Sequence, residues 1–407
     1  MLRALQVSHS DIHGSRFTGF DHTDSYKRCG VNLDFCVFDQ QSPRSYRLGS
    51  GVFSIFRHLP LKKIEHALSI QSLIYPYSRE LERTEVFRSA DVVHYHLIHT
   101  GYFSLLSLPR LSRLKPSLWT WHDPWPLTGH CIYPFDCTRW QLGCGDCPDL
   151  RRSIRMRRDR TDFMWNLKRN LYAKSRFDVV VASRWMYDLV VQSPMSGLFS
   201  THLISFGIDL DVFRPMNTAE ARSRLGIDKD AFVICFRATE KWAKGLPLIL
   251  GALHRLEASR PICLLTFDKT GLLEEFSERY QVVELGWVKD ARSMVEAFSA
   301  AHLFLMPSTA EAFGMMAIEA MACGTPVVVC EGTALADVVY APHGGIAVPQ
   351  HDSDRLAAAI GRLMIDEQER QQLGRSARDI AQKHYDLADH VRKMTELYQE
   401  VAEKWVS

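Results

Sequence analysis

Met306-Pro-Ser-Thr-Ala-Glu-Ala-Phe-Gly-Met-Met-Ala-Ile-Glu-Ala-Met-Ala-Cys-Gly-Thr-Pro-Val-Val-Val329 is the stretch whose reading decides the fold. Glu311 and Glu319 stand eight residues apart. Between them, Phe313-Gly314 is a turn signal that opens a helix, and Gly324 and Pro326 close it before a β-branched run. The order is strand end, loop, helix, glycine stop, strand. In an open α/β sheet such a loop lies at the carboxyl ends of the strands, where ligands bind. A helix that starts there directs unpaired N–H groups and a positive dipole end at the ligand, which suits a phosphate. Glu311 precedes the helix and can reach hydroxyls. Glu319, more than a turn in, can reach a second part of the same molecule.

Working outward, short apolar runs alternate with longer amphipathic segments. Strands are expected at 31–37, 92–95, 118–121, 179–182 and 203–205, with the N-terminus as a first core strand. In the second half they are expected at 232–236, 262–267, 282–285, 303–306, 327–330 and 345–348. Helical patterns at 246–258, 291–300 and 353–364 lie between them. Buried strands alternating with helices predict parallel sheets covered on both faces, hence an α/β protein. The 407 residues suffice for two such domains. Gly207 and Pro215 place the joint at 207–217. The expected division is 1–210, with a Cys-rich insertion near 124–150, then 211–385. A final helix at 386–407 packs back toward the first domain.

Charge changes sign at the joint. Residues 1–210 hold 27 Lys+Arg against 19 Asp+Glu (+8), and the rest hold 22 against 28 (−6), giving +2 in all. A basic half invites an anionic partner. No apolar run approaches the roughly 18–20 residues that span a bilayer, and the N-terminus lacks a long apolar signal region. The expected location is cytoplasmic, with peripheral contact at the inner face of the membrane.

Four further constellations carry chemistry. In 236–247 a buried strand ends at Arg237, and Lys241, Lys244 and Gly245 follow before a helix. Cations there suit a diphosphate, against the bland alternative of a solvated basic loop. Asp91-Val-Val-His-Tyr-His96 and Leu118-Trp-Thr-Trp-His-Asp123 run strands into His94, His96 and His122. Such histidines hydrogen-bond hydroxyls or developing oxyanions, or are simply satisfied core groups. Cys131, Cys137, Cys144 and Cys147 fit the count of a structural zinc site, though the first spacing is wide. Disulfides and unligated thiols are the alternatives. Arg151, Arg152, Arg155, Arg157, Arg158 and Arg160 crowd residues 151–160. They form a solvated face or a landing patch for an anionic membrane. No nucleic-acid-binding motif accompanies them. Gly14 permits close backbone approach after the first strand.

Together these features resemble glycosyltransferase family 4, retaining nucleotide-sugar enzymes of the GT-B fold with two Rossmann-like parallel-sheet domains facing a cleft. Glu311-x7-Glu319 with Phe313-Gly314 looks like that family's signature, and 206–215 is similar to its interdomain segment. Segments 121–125, 128–131 and 143–148 resemble a colanic-acid and exopolysaccharide branch. The Gly-Gly pair common in the family is Gly14-Ser15 here. The resemblance implies hexose transfer from a nucleoside diphosphate sugar to a glycan or lipid-linked acceptor in cell-surface polysaccharide synthesis. It assigns His122, Glu311, Arg237 and Lys244 to the chemistry. Gly14, Lys241, Phe313, Gly314, Met315, Met316 and Glu319 would bind the donor. Three Asp-x-Asp triplets lie outside these constellations, so no catalytic metal is expected. An epimerase of the same fold and a non-catalytic sugar-nucleotide-binding or scaffold protein are the alternatives.

Overall fold

The computed structural model describes residues 1–11, 19–152, 154–288 and 290–406. It forms two compact units, Met1–Ile204 with Val391–Ser407, and Ser205–His390.

The first unit is built on β1 (Leu2–Ser10), β2 (Val31–Asp39), β3 (Tyr46–Arg47), β4 (Val92–His96), β5 (Ser117–Thr120), β6 (Asp178–Val181) and β7 (Thr201–Leu203). Their order is β3-β2-β1-β4-β5-β6-β7, all parallel. The second unit has β8 (Phe232–Ala238), β9 (Ile262–Asp268), β10 (Gln281–Glu284), β11 (Leu303–Met306), β12 (Val327–Cys330) and β13 (Gly345–Val348). Their order is β10-β9-β8-β11-β12-β13, again all parallel. Residues 232–236 are fully buried, as an all-apolar central strand should be.

Strand order reverses between β1 and β4 in one sheet and between β8 and β11 in the other. Diverging connections leave a crevice at each reversal, at the carboxyl ends of the strands. In the first unit that edge carries Ser10, His96 and Thr120. In the second it carries Ala238 and Met306.

Several expected elements shift; those at 118–121 and 179–182 are displaced by one residue, to Ser117–Thr120 and Asp178–Val181. The strand at 203–205 is Thr201–Leu203, and that at 282–285 is Gln281–Glu284. Both are sheet edges, where one-sided pairing leaves the ends weakly specified. The helix expected at 246–258 stops at Arg255, and Leu256 is extended. Arg279 and the Tyr280 hydroxyl donate to the Leu253 carbonyl, and Arg279 also donates to that of Leu256. The last carbonyls are thereby satisfied without further helix.

Gly207 is required by a close approach. A Cβ there would lie 2.6 Å from Leu387 Cα. Ile208 pairs with Asp386, its N–H reaching the Tyr385 carbonyl at 2.9 Å. The final helix, Leu387–Val406, starts in the second unit and belongs to the first from Val391 onward.

Candidate active site

At the β8/β11 reversal the two loops are packed tightly. Gly245 has φ 78°, and a Cβ on it would meet the Pro307 carbonyl oxygen at 2.1 Å. The Thr309 N–H donates to the Ala243 carbonyl at 2.9 Å. This brings Lys244 Nζ to 2.6 Å from Glu311 Oε2. Arg237, at the end of β8, donates through Nε to Asp268 Oδ2 at 2.9 Å, and its guanidinium stands 5.8 Å from the Trp287 ring centroid. Lys241 is exposed on the same loop.

The helix Met315–Ala322 begins beside these cations. Gly314 caps it at φ 104°, a conformation that favours glycine, and a Cβ there would lie 2.3 Å from Leu335 Cδ2. Met315 and Met316, in its first turn, are partly exposed. Glu319 is buried. The Phe313 side chain is a core group, packed edge-on against Phe206 and Tyr385 at 5.1 and 5.8 Å, so a ligand there would meet its backbone. Two partly buried cations, two carboxylates and a helix N-terminus thus converge. Sequence reasoning does not single out Asp268 or Trp287, and only Asp268's place at a strand end hints at it. Gly14 lies outside the described residues.

The first unit holds a chain of buried histidines. Packing of β4 beside β5 places His94 Nε2 2.7 Å from Thr120 Oγ1 and His96 Nδ1 3.0 Å from His122 Nε2. Gln6 on β1 bonds His96 Nε2 through Oε1 at 2.8 Å and donates through Nε2 to the Tyr398 hydroxyl at 2.9 Å. That hydroxyl lies 2.8 Å from His94 Nδ1. Burial, then His94 and His122, hold His96 well below the usual histidine range. Burial lowers His122 to about 4, with Asp123 opposing it and His99 adding to it. Both are neutral at neutral pH. Against the burial that would raise it, His99 and the Trp125 N–H keep the Asp123 carboxyl low, with His99 Nε2 at 3.2 Å. A cavity of about 490 Å³ nearby is lined by Lys62, Glu65, Tyr75, His99, Thr100 and Arg155.

The Cys-rich segment is a loop held by Lys168. That fully buried ammonium donates to the carbonyls of Trp125 and Thr128 at 2.6 and 2.8 Å and lies 3.4 Å from the Trp125 ring centroid. Burial raises the thiols of Cys131 and Cys144 to about 11 and 12. The Gly129 N–H donates to Cys144 Sγ at 3.2 Å, and His130 Nε2 stands 3.2 Å from Cys147 Sγ. Cys131, Cys137, Cys144 and Cys147 are all free thiols, and no disulfide joins them. Among the described residues no group of three or more His, Cys, Asp or Glu is arranged to hold a metal ion. The arginines of 151–160 are exposed. Among the described residues no helix is long and apolar enough to cross a membrane.

Two Rossmann-like parallel-sheet units, each with a crevice at a strand-order reversal, define the GT-B fold class. Residues 217–380, which lie within the second unit, match the model of the family Glycosyl transferases group 1. The D-inositol 3-phosphate glycosyltransferase of Saccharomonospora viridis is 27% identical over 88% of this chain and 82% of its own length. Other relatives of that description are 28–33% identical, with the chain covering only 36–58% of their length. Among solved structures, sucrose-phosphate synthase from Thermosynechococcus elongatus superposes with a TM-score of 0.71 at 19% identity, over 99% of this chain and 100% of that one. HepE of Anabaena in complex with UDP-glucose gives 0.65 at 16% identity, with both chains covered fully.

Proposed function

We propose that this protein transfers a hexose from a nucleoside diphosphate sugar to a hydroxyl-bearing acceptor, with retention of configuration. The observation that carries this reading is the convergence of Arg237, Lys244, Glu311 and the Gly314-capped helix N-terminus at the β8/β11 reversal. In the proposed reaction Arg237, Lys244 and the amides of 313–316 hold the diphosphate and stabilise the charge that develops as it leaves. Bound phosphate draws Arg237 and Lys244 from their carboxylates, releasing Glu311 to accept from hexose hydroxyls. Glu319 holds the ribose hydroxyls, Lys241 adds charge at the rim, and His122 is assigned to the sugar. No step uses a metal.

The acceptor has two readings. The relatives are named for an inositol phosphate, and the basic first half, with Lys62 and Arg155 at its cavity, suits a phosphorylated polyol. The motifs at 121–148 instead favour a glycan or lipid-linked acceptor of an exopolysaccharide pathway, with the exposed arginines of 151–160 meeting anionic lipid. Radiolabelled transfer to inositol phosphate and to lipid-linked saccharide separates the two.

A thermal-shift panel of UDP-, GDP-, ADP- and dTDP-sugars tests donor binding, since a ligand at 100 times its Kd adds about 2.7 kcal/mol. Arg237→Ala is expected to lower transfer by about a hundredfold, the scale of losing one oxyanion donor. Unchanged transfer in that variant removes the site assignment.

A further inference from the structure

We propose that the first unit docks on an anionic lipid bilayer through residues 52–68, with the neighbouring arginines of 151–160 meeting the headgroups. This deepens the lipid contact proposed above by naming the apolar surface that enters the bilayer. It does not rest on the donor site.

Val52, Ile55, Leu59, Ile64 and Leu68 are each 39–74% exposed. Large apolar side chains gathered in water in this way mark an interaction surface. The fold holds them there. Buried Glu80 accepts from the N–H groups of Gly49 and Phe53, both at 2.8 Å. Arg57 donates to the carbonyls of Gly49 and Phe38, each at 2.8 Å, and its guanidinium lies 4.0 Å from the Phe38 ring centroid. Phe53 and Phe56 turn in against the core, while Val52 and Ile55 beside them stay outside. Two charged groups are thus committed to a loop that presents apolar side chains to solvent.

The helix Leu61–Leu68 continues the surface. Leu61 and Glu65 face inward. Ile64 and Leu68, four residues apart and so neighbours on one side of the helix, stay in solvent. Lys62, Lys63 and His66 are exposed as well. Just past the helix, Ser69 Oγ accepts from the N–H groups of Arg157 and Arg158 at 3.0 and 2.8 Å. Those bonds fix the arginine stretch beside the helix end.

Charge selects the occupant. Residues 44–70 hold Arg44, Arg47, Arg57, Lys62 and Lys63 against one acid, Glu65. Glu65 is turned inward, accepting from the Leu73 N–H at 3.2 Å and the Tyr75 hydroxyl at 2.8 Å. Asp159, the single acid of 151–160, accepts from the N–H groups of Cys147 and Thr161. A second copy of this chain would bring like charges together. An anionic bilayer suits both parts, its acyl boundary taking the apolar side chains and its headgroups the cations. Lys62 and His66 of the same helix also line the cavity of about 490 Å³, so an acceptor carried on lipid would meet that cavity at the membrane surface.

The test is co-sedimentation of the full chain with vesicles, in the absence of donor and acceptor. Phosphatidylcholine–phosphatidylglycerol vesicles are expected to carry the protein down, and pure phosphatidylcholine vesicles to leave most of it in solution. Val52→Ser/Ile55→Ser/Leu59→Ser and Ile64→Ser/Leu68→Ser should each weaken binding by more than about tenfold, the scale of one transferred apolar side chain. Arg157→Gln/Arg158→Gln should weaken it about fivefold for each charge lost. Circular dichroism of the apolar variants is expected to match the wild type, and the arginine pair, on a separate segment, keeps the test decisive if one of them misfolds. Wild-type protein that ignores anionic vesicles overturns the proposal, as does equal partition onto neutral ones or undiminished binding of both apolar variants. A concentration-dependent dimer that those variants dissolve gives the face to a second copy and overturns it too. Because no substrate is present, failure to bind any nucleotide sugar counts against the transfer reading alone.

Discussion

Gly314 shows how much a single residue decides at the candidate donor site. At its φ of 104°, any side chain would be strained, and a Cβ would stand 2.3 Å from Leu335 Cδ2. Gly314→Ala is expected to cost about 2–3 kcal/mol, from left-handed strain and overpacking together. Because the first turn of the Met315–Ala322 helix would shift, donor affinity should fall as well. Chemical denaturation and a donor titration check the two effects, and unchanged values in both contradict this account. The partners of Arg237 and Lys244 make a related point. Sequence spacing identifies both cations and Glu311, but it cannot show that Lys244 faces Glu311 or that Asp268 holds Arg237. Those pairings depend on where separate strands end beside each other.

Among the elements, β4 and β5 are legible as buried strands because their apolar residues are continuous. Sequence alone leaves their histidines between core and functional readings. Pairing supplies the difference, since register sets His96 against Thr120 and brings His122 to His96. The Cys-rich loop reads in sequence as a structural zinc site, a disulfide pair or unligated thiols, and buried Lys168 is a group that holds it in the structure. Zinc on Cys131, Cys137, Cys144 and Cys147 stays a proposal, one that requires the thiols to turn toward a common centre. Metal analysis of the purified chain decides it. About one zinc per chain, lost in a Cys144→Ser/Cys147→Ser double variant, supports the site, whereas metal-free protein with four titratable thiols rejects it.

Across the whole molecule, neutral, partly buried histidines make acid a destabilising condition for both units. His122 in the first unit is lowered from 6.5 to about 4 by burial. His302 in the second is lowered to about 3 by burial, then by Arg222, Arg370 and Arg260. Its Nδ1 accepts from the Val233 N–H at 2.8 Å, a bond that protonation would break. Below pH 6.5 the unfolded chain binds protons that the folded chain refuses, so the unfolded state gains. Stability is fully present above pH 6.5 and declines as pH falls toward 4, by on the order of 2–4 kcal/mol for each such histidine. Urea midpoints between pH 7 and 4 check the slope. His302→Asn, which keeps an acceptor near Nδ1, is expected to flatten it.

The sequence by itself determined the two α/β units, the strands 303–306, 327–330 and 345–348 to the residue, and the Glu311/Glu319 loop with its two cations. These features are local, since apolar runs, glycine turns and helix starts are written within a few consecutive residues. It also placed the final helix and its apolar face, where Tyr398 is one core residue among several. Only the tertiary structure decided that Tyr398 meets Gln6, 392 positions away. Only the structure showed that the two residues belong to one hydrogen-bonded chain ending at His122. A buried polar group takes its meaning from its partner, and the partner is fixed by packing between distant segments rather than by neighbouring residues.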